Sequence, residues 1–125
     1  MILLLDAHAI LWAVSEPGSL AVDARSAIES PANDVVVSAG SIWELEIKQA
    51  LGKIKIENDL LEELERVGFD MLAITAADAT SAARLPLHHR DPFDRMLIAQ
   101  AKSEPLILLT HDTAFAAYGD SVMLV

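Results

Sequence analysis

Two stretches of this chain, Ile2-Leu3-Leu4-Leu5 and Leu106-Ile107-Leu108-Leu109, are unbroken apolar runs followed by a polar turn with an aspartate. A strand without polar alternation has no face to offer water, so each run belongs inside a parallel sheet covered on both sides. Parallel neighbours need crossover connections, which are usually helices. The rest of the chain supplies them. After Asp6, Ala7, Ile10, Leu11 and Val14 recur at helical spacing until Pro17-Gly18 stops the pattern. A second helix fits residues 20–29, residues 30–34 form a loop, and Val35-Val36-Val37 is a short β-branched strand. Ser38-Ala39-Gly40-Ser41 reads as a polar turn into a helix over 42–51, which Gly52 ends. Asn58 or Asp59 caps a further helix with Leu60, Leu61, Leu64 and Val67 inward, closed by Gly68. Residues 69–74 predict a third strand, and Thr75-x-x-Asp78 is a capping box for a helix running to about Arg84. Residues 112–118 read as a short helix and 122–125 as a fifth strand. Alternation of this kind predicts one α/β domain over 1–125, a five-stranded, mostly parallel sheet with helices on both sides.

Residues 85–101 hold the most informative junction, where Leu-Pro-Leu-His-His-Arg leads into Asp91-Pro92-Phe93-Asp94 and an apolar helix. Pro92 suits the first helical position, where its missing N–H would be unpaired anyway, and Asp91 is the N-cap. Phe93, Leu97, Ile98 and Ala101 make the buried stripe, which leaves Asp94 in the first turn.

In a parallel α/β sheet, strand C-termini and helix N-termini share one edge, and binding sites favour it. Asp6 follows the first strand and Asp112 the fourth; Glu44 opens the helix after the second strand, and Asp94 the helix before the fourth. Each acid has a plainer explanation. Asp6 and Asp112 can cap the helices that follow, while Ser41-x-x-Glu44 and Asp91-x-x-Asp94 resemble capping boxes. Four together are harder to explain that way, because carboxylates within about 4 to 6 Å repel unless a cation shares them. The net charge of -10 points the same way, since nucleic acid bound by charge alone calls for a basic protein. Either the partner is basic or metal ions supply the positive charge. Oxygen-only ligands and the absence of cysteine indicate Mg²⁺ or Mn²⁺. Zinc fits poorly: His88 and His89 are adjacent, and no His-x-x-x-His pair occurs. His88, His89 and Arg90 are instead candidate contacts for phosphate beside the acids. Trp12 and Trp43 read as core, and Lys48, Lys53 and Lys55 as solvated surface. No apolar run approaches the roughly 20 residues of a membrane span, and the first residues lack the features of a secretion signal, so a soluble, cytoplasmic protein is expected.

Leu5-Asp6-Ala7-His8-Ala9-Ile10-Leu11-Trp12, Ser38 to Glu44, Leu85 to Ala101 and Leu109-Thr110-His111-Asp112 together resemble the PIN-domain ribonucleases, specifically VapC-type toxins of bacterial toxin–antitoxin pairs. The likeness spans nearly the whole chain, with the four motifs in the family's order, and the third is the most specific. The resemblance implies a three-layer α/β/α sandwich and an endoribonuclease dependent on Mg²⁺ or Mn²⁺ that leaves 5′-phosphate and 3′-hydroxyl ends. Its acidic quartet falls on Asp6, Glu44, Asp94 and Asp112, as catalytic and metal-binding residues, with Asp91, Thr110 and Ser38 in support. The family often has Thr where this chain has Ala7. Implied partners are RNA, a second copy of the chain in a homodimer, and a cognate antitoxin, expected to insert an Arg or Lys among the acids. Two other functions compete. An aspartyl-phosphate enzyme usually carries a second acid two residues after the first, and here that residue is His8. A non-catalytic module whose acidic edge binds a basic peptide is the more serious rival.

Overall fold

A computed structural model describes residues 1–87, 90–119 and 122–124. Among these, strands β1 (Ile2–Leu5), β2 (Asp34–Ser38), β3 (Asp70–Leu72), β4 (Leu106–Thr110) and β5 (Val122–Leu124) form one sheet in the order β3-β2-β1-β4-β5. Every neighbouring pair is parallel. Helices α1 (Ala7–Ser15), α2 (Val22–Glu29), α3 (Ala39–Ala50), α4 (Leu60–Arg66), α5 (Ala76–Arg84) and α6 (Pro92–Ser103) supply the connections, with 3₁₀ turns at Pro17–Ser19 and Thr113–Tyr118. None of the described helices is long and apolar enough to cross a membrane.

The unbroken apolar runs do what their composition requires. Leu3, Leu5 and Leu109 pack on one face of the sheet with Ile10 of α1, Leu45 of α3 and Leu60 and Leu64 of α4. On the other face Leu4, Leu106 and Leu108 meet Leu97, Ile98 and Ala101 of α6, together with Phe115 and Tyr118. The alternation of Leu3, Leu4 and Leu5 between two cores defines the expected three layers. From β1 the chain builds outward through β2 to β3, then crosses back so that β4 lies on the other side of β1. The strand order therefore reverses between β1 and β4, where open α/β sheets form their binding crevice.

Several expectations are corrected. Residues 38–41 are not a turn: Ser38 is extended and its hydroxyl accepts from the Gly40 N–H at 3.1 Å, so β2 passes directly into α3 at Ala39. The third strand is confined to Asp70–Leu72 within the predicted 69–74. Trp43 is not core but 64% exposed, because two residues round a helix from buried Leu45 is nearly the opposite face. Trp12 is half-buried against the core, as expected. The reciprocal capping box of Thr75 and Asp78 is present, with bonds of 3.0 and 3.1 Å.

One residue not singled out from sequence organises the approach to α6. Arg95 is buried, and its guanidinium donates to the carbonyls of Ala82 and Leu85 at 2.8 Å, Pro86 at 3.1 Å and Ala83 at 3.3 Å. A fork of fixed donors thus closes the C-terminal end of α5, where the backbone itself supplies the Ala82 carbonyl with only a 3.4 Å bond from the Leu85 N–H. Tyr118 adds a second donor to Pro86 at 2.7 Å. Truncation in Arg95→Met removes the guanidinium from all four carbonyls, of which Pro86 keeps Tyr118 and Ala82 a long bond from the Leu85 N–H. It should destabilise the fold by about 3 kcal/mol, with Arg95→Lys recovering only part. Urea unfolding checks this; a wild-type midpoint in Arg95→Met would show that the clamp contributes nothing.

Candidate active site

The predicted acids come together at the β1/β4 reversal. Asp6, Glu44, Asp91, Asp94 and Asp112 line one cleft of about 160 Å³, with His8, Lys48 and His111. Asp6 is 4% exposed at the end of β1. One of its oxygens accepts from the Ala9 N–H at 2.8 Å, capping α1, and the other accepts from the Thr110 hydroxyl at 2.6 Å. Capping and site are therefore the same residue in two roles. Thr110 is fully buried at the end of β4, and its hydroxyl oxygen also accepts from the Asp112 N–H at 3.1 Å. Asp112 caps the following 3₁₀ turn through the Ala114 N–H at 2.9 Å. A chain of hydrogen bonds thus runs from Asp112 through Thr110 to Asp6.

Two helices bring the other acids. Asp91 accepts from the N–H groups of Phe93 and Asp94 at 2.8 and 3.2 Å, which fixes the first turn of α6 and with it Asp94. Because Ser38 caps α3, Glu44 falls in the second turn, and the Ser41 to Glu44 capping box does not form. Glu44 is buried, with one oxygen bonded to Lys48 Nζ at 2.8 Å. Its Oε1 is also buried and accepts no hydrogen bond among the described residues. A carboxylate oxygen left so is costly unless a further positive group approaches it. Ser38 is a helix cap rather than part of the cleft lining. Arg90 is exposed, and His88 and His89 lie outside the described residues.

Sequence reading missed Lys48, which it assigned to solvated surface but which lines the cleft; its i,i+4 spacing from Glu44 was the available signal. His8 and His111 were missed too, although each sits beside a predicted acid. Convergence has a limit: among the described residues, no three carboxylate or imidazole groups stand close enough to hold one ion as placed. Asp6 and Asp112 are turned toward their caps, and Glu44 toward Lys48.

A family model described as the PIN domain matches residues 3–121. The chain belongs to the PIN-domain family. Within it, the chain is 32% identical over 112 residues to ribonuclease VapC22 of Mycobacterium tuberculosis, a match covering 87% of this chain and 85% of that protein. The fold resembles VapBC2 from Rickettsia felis bound to a DNA fragment from its promoter, with a TM-score of 0.70, 16% identity, and coverage of 100% and 98% of the two chains. It also resembles VapBC-5 of Mycobacterium tuberculosis, from the VapBC family of toxin–antitoxin systems, with a TM-score of 0.60, 22% identity and coverage of 99% and 97%. At those identities the two structures attest the fold.

In this PIN domain Thr110 is the side chain on which two of the acids depend. Thr110→Val keeps the shape but removes the donor to Asp6, which is buried, and the acceptor for the Asp112 N–H, which is half-buried. Stability should fall by about 2 kcal/mol, and Thr110→Ser should restore most of it. Thermal melts of the two variants decide, and equal melting temperatures would mean that the bond to Asp6 is energetically idle.

Proposed function

We propose that this PIN-domain protein is a divalent-metal-dependent endoribonuclease, the toxin of a toxin–antitoxin pair, with Asp6, Glu44, Asp94 and Asp112 as its metal-binding and catalytic acids. The observation that carries the reading is the buried Glu44 Oε1, unpartnered among the described residues, in a cleft shared by four aspartates from other elements. An all-oxygen donor set at the mouth of a parallel sheet suits Mg²⁺ or Mn²⁺, and the orphaned oxygen suits a missing cation. The ribonuclease name of the VapC22 relative supports RNA as substrate.

One or two bound ions would supply Lewis-acid activation of water and neutralise charge on the phosphate. This chain's own residues have separable tasks. Asp6 is held by Ala9 and Thr110, so its carboxylate is oriented before any ligand arrives. Asp91 fixes the helix turn that carries Asp94, and acts in support rather than as a ligand. Lys48 pairs with Glu44 and brings positive charge to a cleft that otherwise repels RNA. Arg90, with His88 and His89, would meet RNA phosphate beside the acids. The protein works as a homodimer in the cytoplasm, and a cognate antitoxin restrains it by inserting an Arg or Lys among the acids, where a guanidinium can pair two carboxylate oxygens.

Purified protein incubated with total cellular RNA tests the reaction. Cleavage should require Mg²⁺ or Mn²⁺, stop with chelator, and leave 5′-phosphate and 3′-hydroxyl ends. Asp6→Asn, Asp94→Asn and Asp112→Asn should each lose on the order of a hundredfold or more, and Asp91→Asn less. Full activity in Asp94→Asn would remove the site. Binding of a basic peptide with no cleavage under any metal would establish the non-catalytic module instead. For the antitoxin, replacing the inserted Arg by Ala should leave a complex that forms yet regains cleavage with added Mn²⁺. Undiminished inhibition would mean that the segment works by covering the cleft.

A further inference from the structure

Three rings stand together at one rim of the acidic cleft. His8 and His111 both line it, with ring centroids 5.0 Å apart and planes at 86°. Trp12 lies 5.8 Å from His8 and 5.1 Å from His111. His8 and Trp12 share a face of α1 because four residues make about one helical turn. His111 reaches them because β4 is the neighbour of β1. Trp12 also lines an adjoining groove of about 280 Å³ with Leu11, Ile54 and Lys55. The histidines thus line the acidic cleft and Trp12 the groove, and their ring contacts join the two.

Packing explains only part of this cluster. Trp12 rests against the core of its face, but His8 and His111 are exposed. Exposed imidazoles held edge-to-face and tilted against Trp12 keep individual ring faces at fixed positions, beside the place where a phosphate would sit. Charge gives a second argument. The chain carries a net charge of -10: of nine Lys and Arg against nineteen Asp and Glu, Arg25, Lys48 and Arg66 are in ion pairs and Arg95 is committed to backbone carbonyls, which leaves Lys53, Lys55, Arg84, Arg90 and Lys102. Lys and Arg contacts to phosphate, the usual source of affinity for nucleic acid, are therefore in short supply. Stacking of an unpaired base on an aromatic ring does not depend on net charge, and single-stranded RNA offers such bases to Trp and His.

We propose that His8, Trp12 and His111 form a stacking platform for the nucleobase next to the phosphate held in the acidic cleft. The inference rests on the ribonuclease reading and deepens it by assigning the unpaired base beside the scissile bond to these three rings. The rings bind and position; bond breaking stays with the acids.

Trp12 is its own reporter, since Trp43 is the only other tryptophan. In a Trp43→Phe protein, with Ca²⁺ present, short oligoadenylate and oligouridylate should quench Trp12 fluorescence saturably, whereas an abasic oligomer of the same length should not. With Mn²⁺, kcat/KM on the same oligomers should drop about tenfold in His8→Ala and in His111→Ala and recover in His8→Phe. Both alanine variants should keep the wild-type melting temperature and its rise on adding Mn²⁺, which excludes unfolding and damage to the acids. Wild-type kinetics in both would overturn the platform, as would failure of His8→Phe to restore cleavage, which would give the imidazole a role other than stacking. Loss of antitoxin binding with unchanged RNA kinetics would assign the rings to a protein partner and overturn it too. RNA cleaved while Trp12 stays silent rejects the platform alone. A wild-type protein that neither binds nor cuts RNA rejects the ribonuclease reading with it.

Discussion

The hydrogen bond from Thr110 to Asp6, 2.6 Å long between residues 104 apart in sequence, ties together the ends of the two central strands. Both side chains are buried, and a buried carboxylate is tolerable only with its oxygens satisfied. The Ala9 N–H meets one oxygen and the Thr110 hydroxyl the other, so the same contacts start α1 and close the gap to β4. Thr110 also takes the Asp112 N–H, which sets the turn after β4. A network of four residues thus fixes the relation of two acids to the strands that carry them. Preorganisation of this kind separates a ligand site from a collection of charges.

The remaining acids arrive on helices whose starts are fixed by separate devices. Ser38 turns β2 into α3 without a loop, which carries Glu44 into the cleft on the second helical turn. Asp91 caps α6, while Arg95 and Tyr118 both hold the Pro86 carbonyl in the segment leading to it. All this rigidity opposes electrostatics, since like charges gathered in one cleft destabilise it. Lys48 relieves part of the repulsion from within, pairing with one oxygen of Glu44, while the other accepts no hydrogen bond among the described residues. The carboxylates turn toward internal partners, which accounts for a cleft that gathers the acids yet does not close them on a common point. In the proposed function, a cation completes the arrangement.

Much of this was legible in the sequence because the cues are local. The runs Ile2–Leu5 and Leu106–Leu109 required strands buried on both faces, and the Thr75/Asp78 and Asp91 caps marked helix starts directly. What escaped depends on tertiary neighbours. The start of α3 was misplaced because a single serine can end a strand and cap a helix at once, leaving no turn to read. Trp43 was assigned to the core from its apolar character, but the helix phase is set by Leu45 and by the sheet it packs on. Arg95 carries no sequence cue of its role, since only the fold brings the end of α5 to its guanidinium. The ring cluster needed β4 beside β1, an adjacency that no sequence spacing states.

The central claim, that four acids from four elements share a divalent ion, is tested most directly by following backbone amide resonances as Mn²⁺ is added in trace amounts. Paramagnetic broadening falls off steeply with distance from the bound ion, so it locates the ion without reference to activity. The account predicts broadening that begins together at Ala7, Glu44, Asp94 and Asp112 and is lost in Asp94→Asn. Broadening centred on the exposed acids of α4, such as Glu62 and Glu65, or spread evenly over the acidic surface, would contradict it.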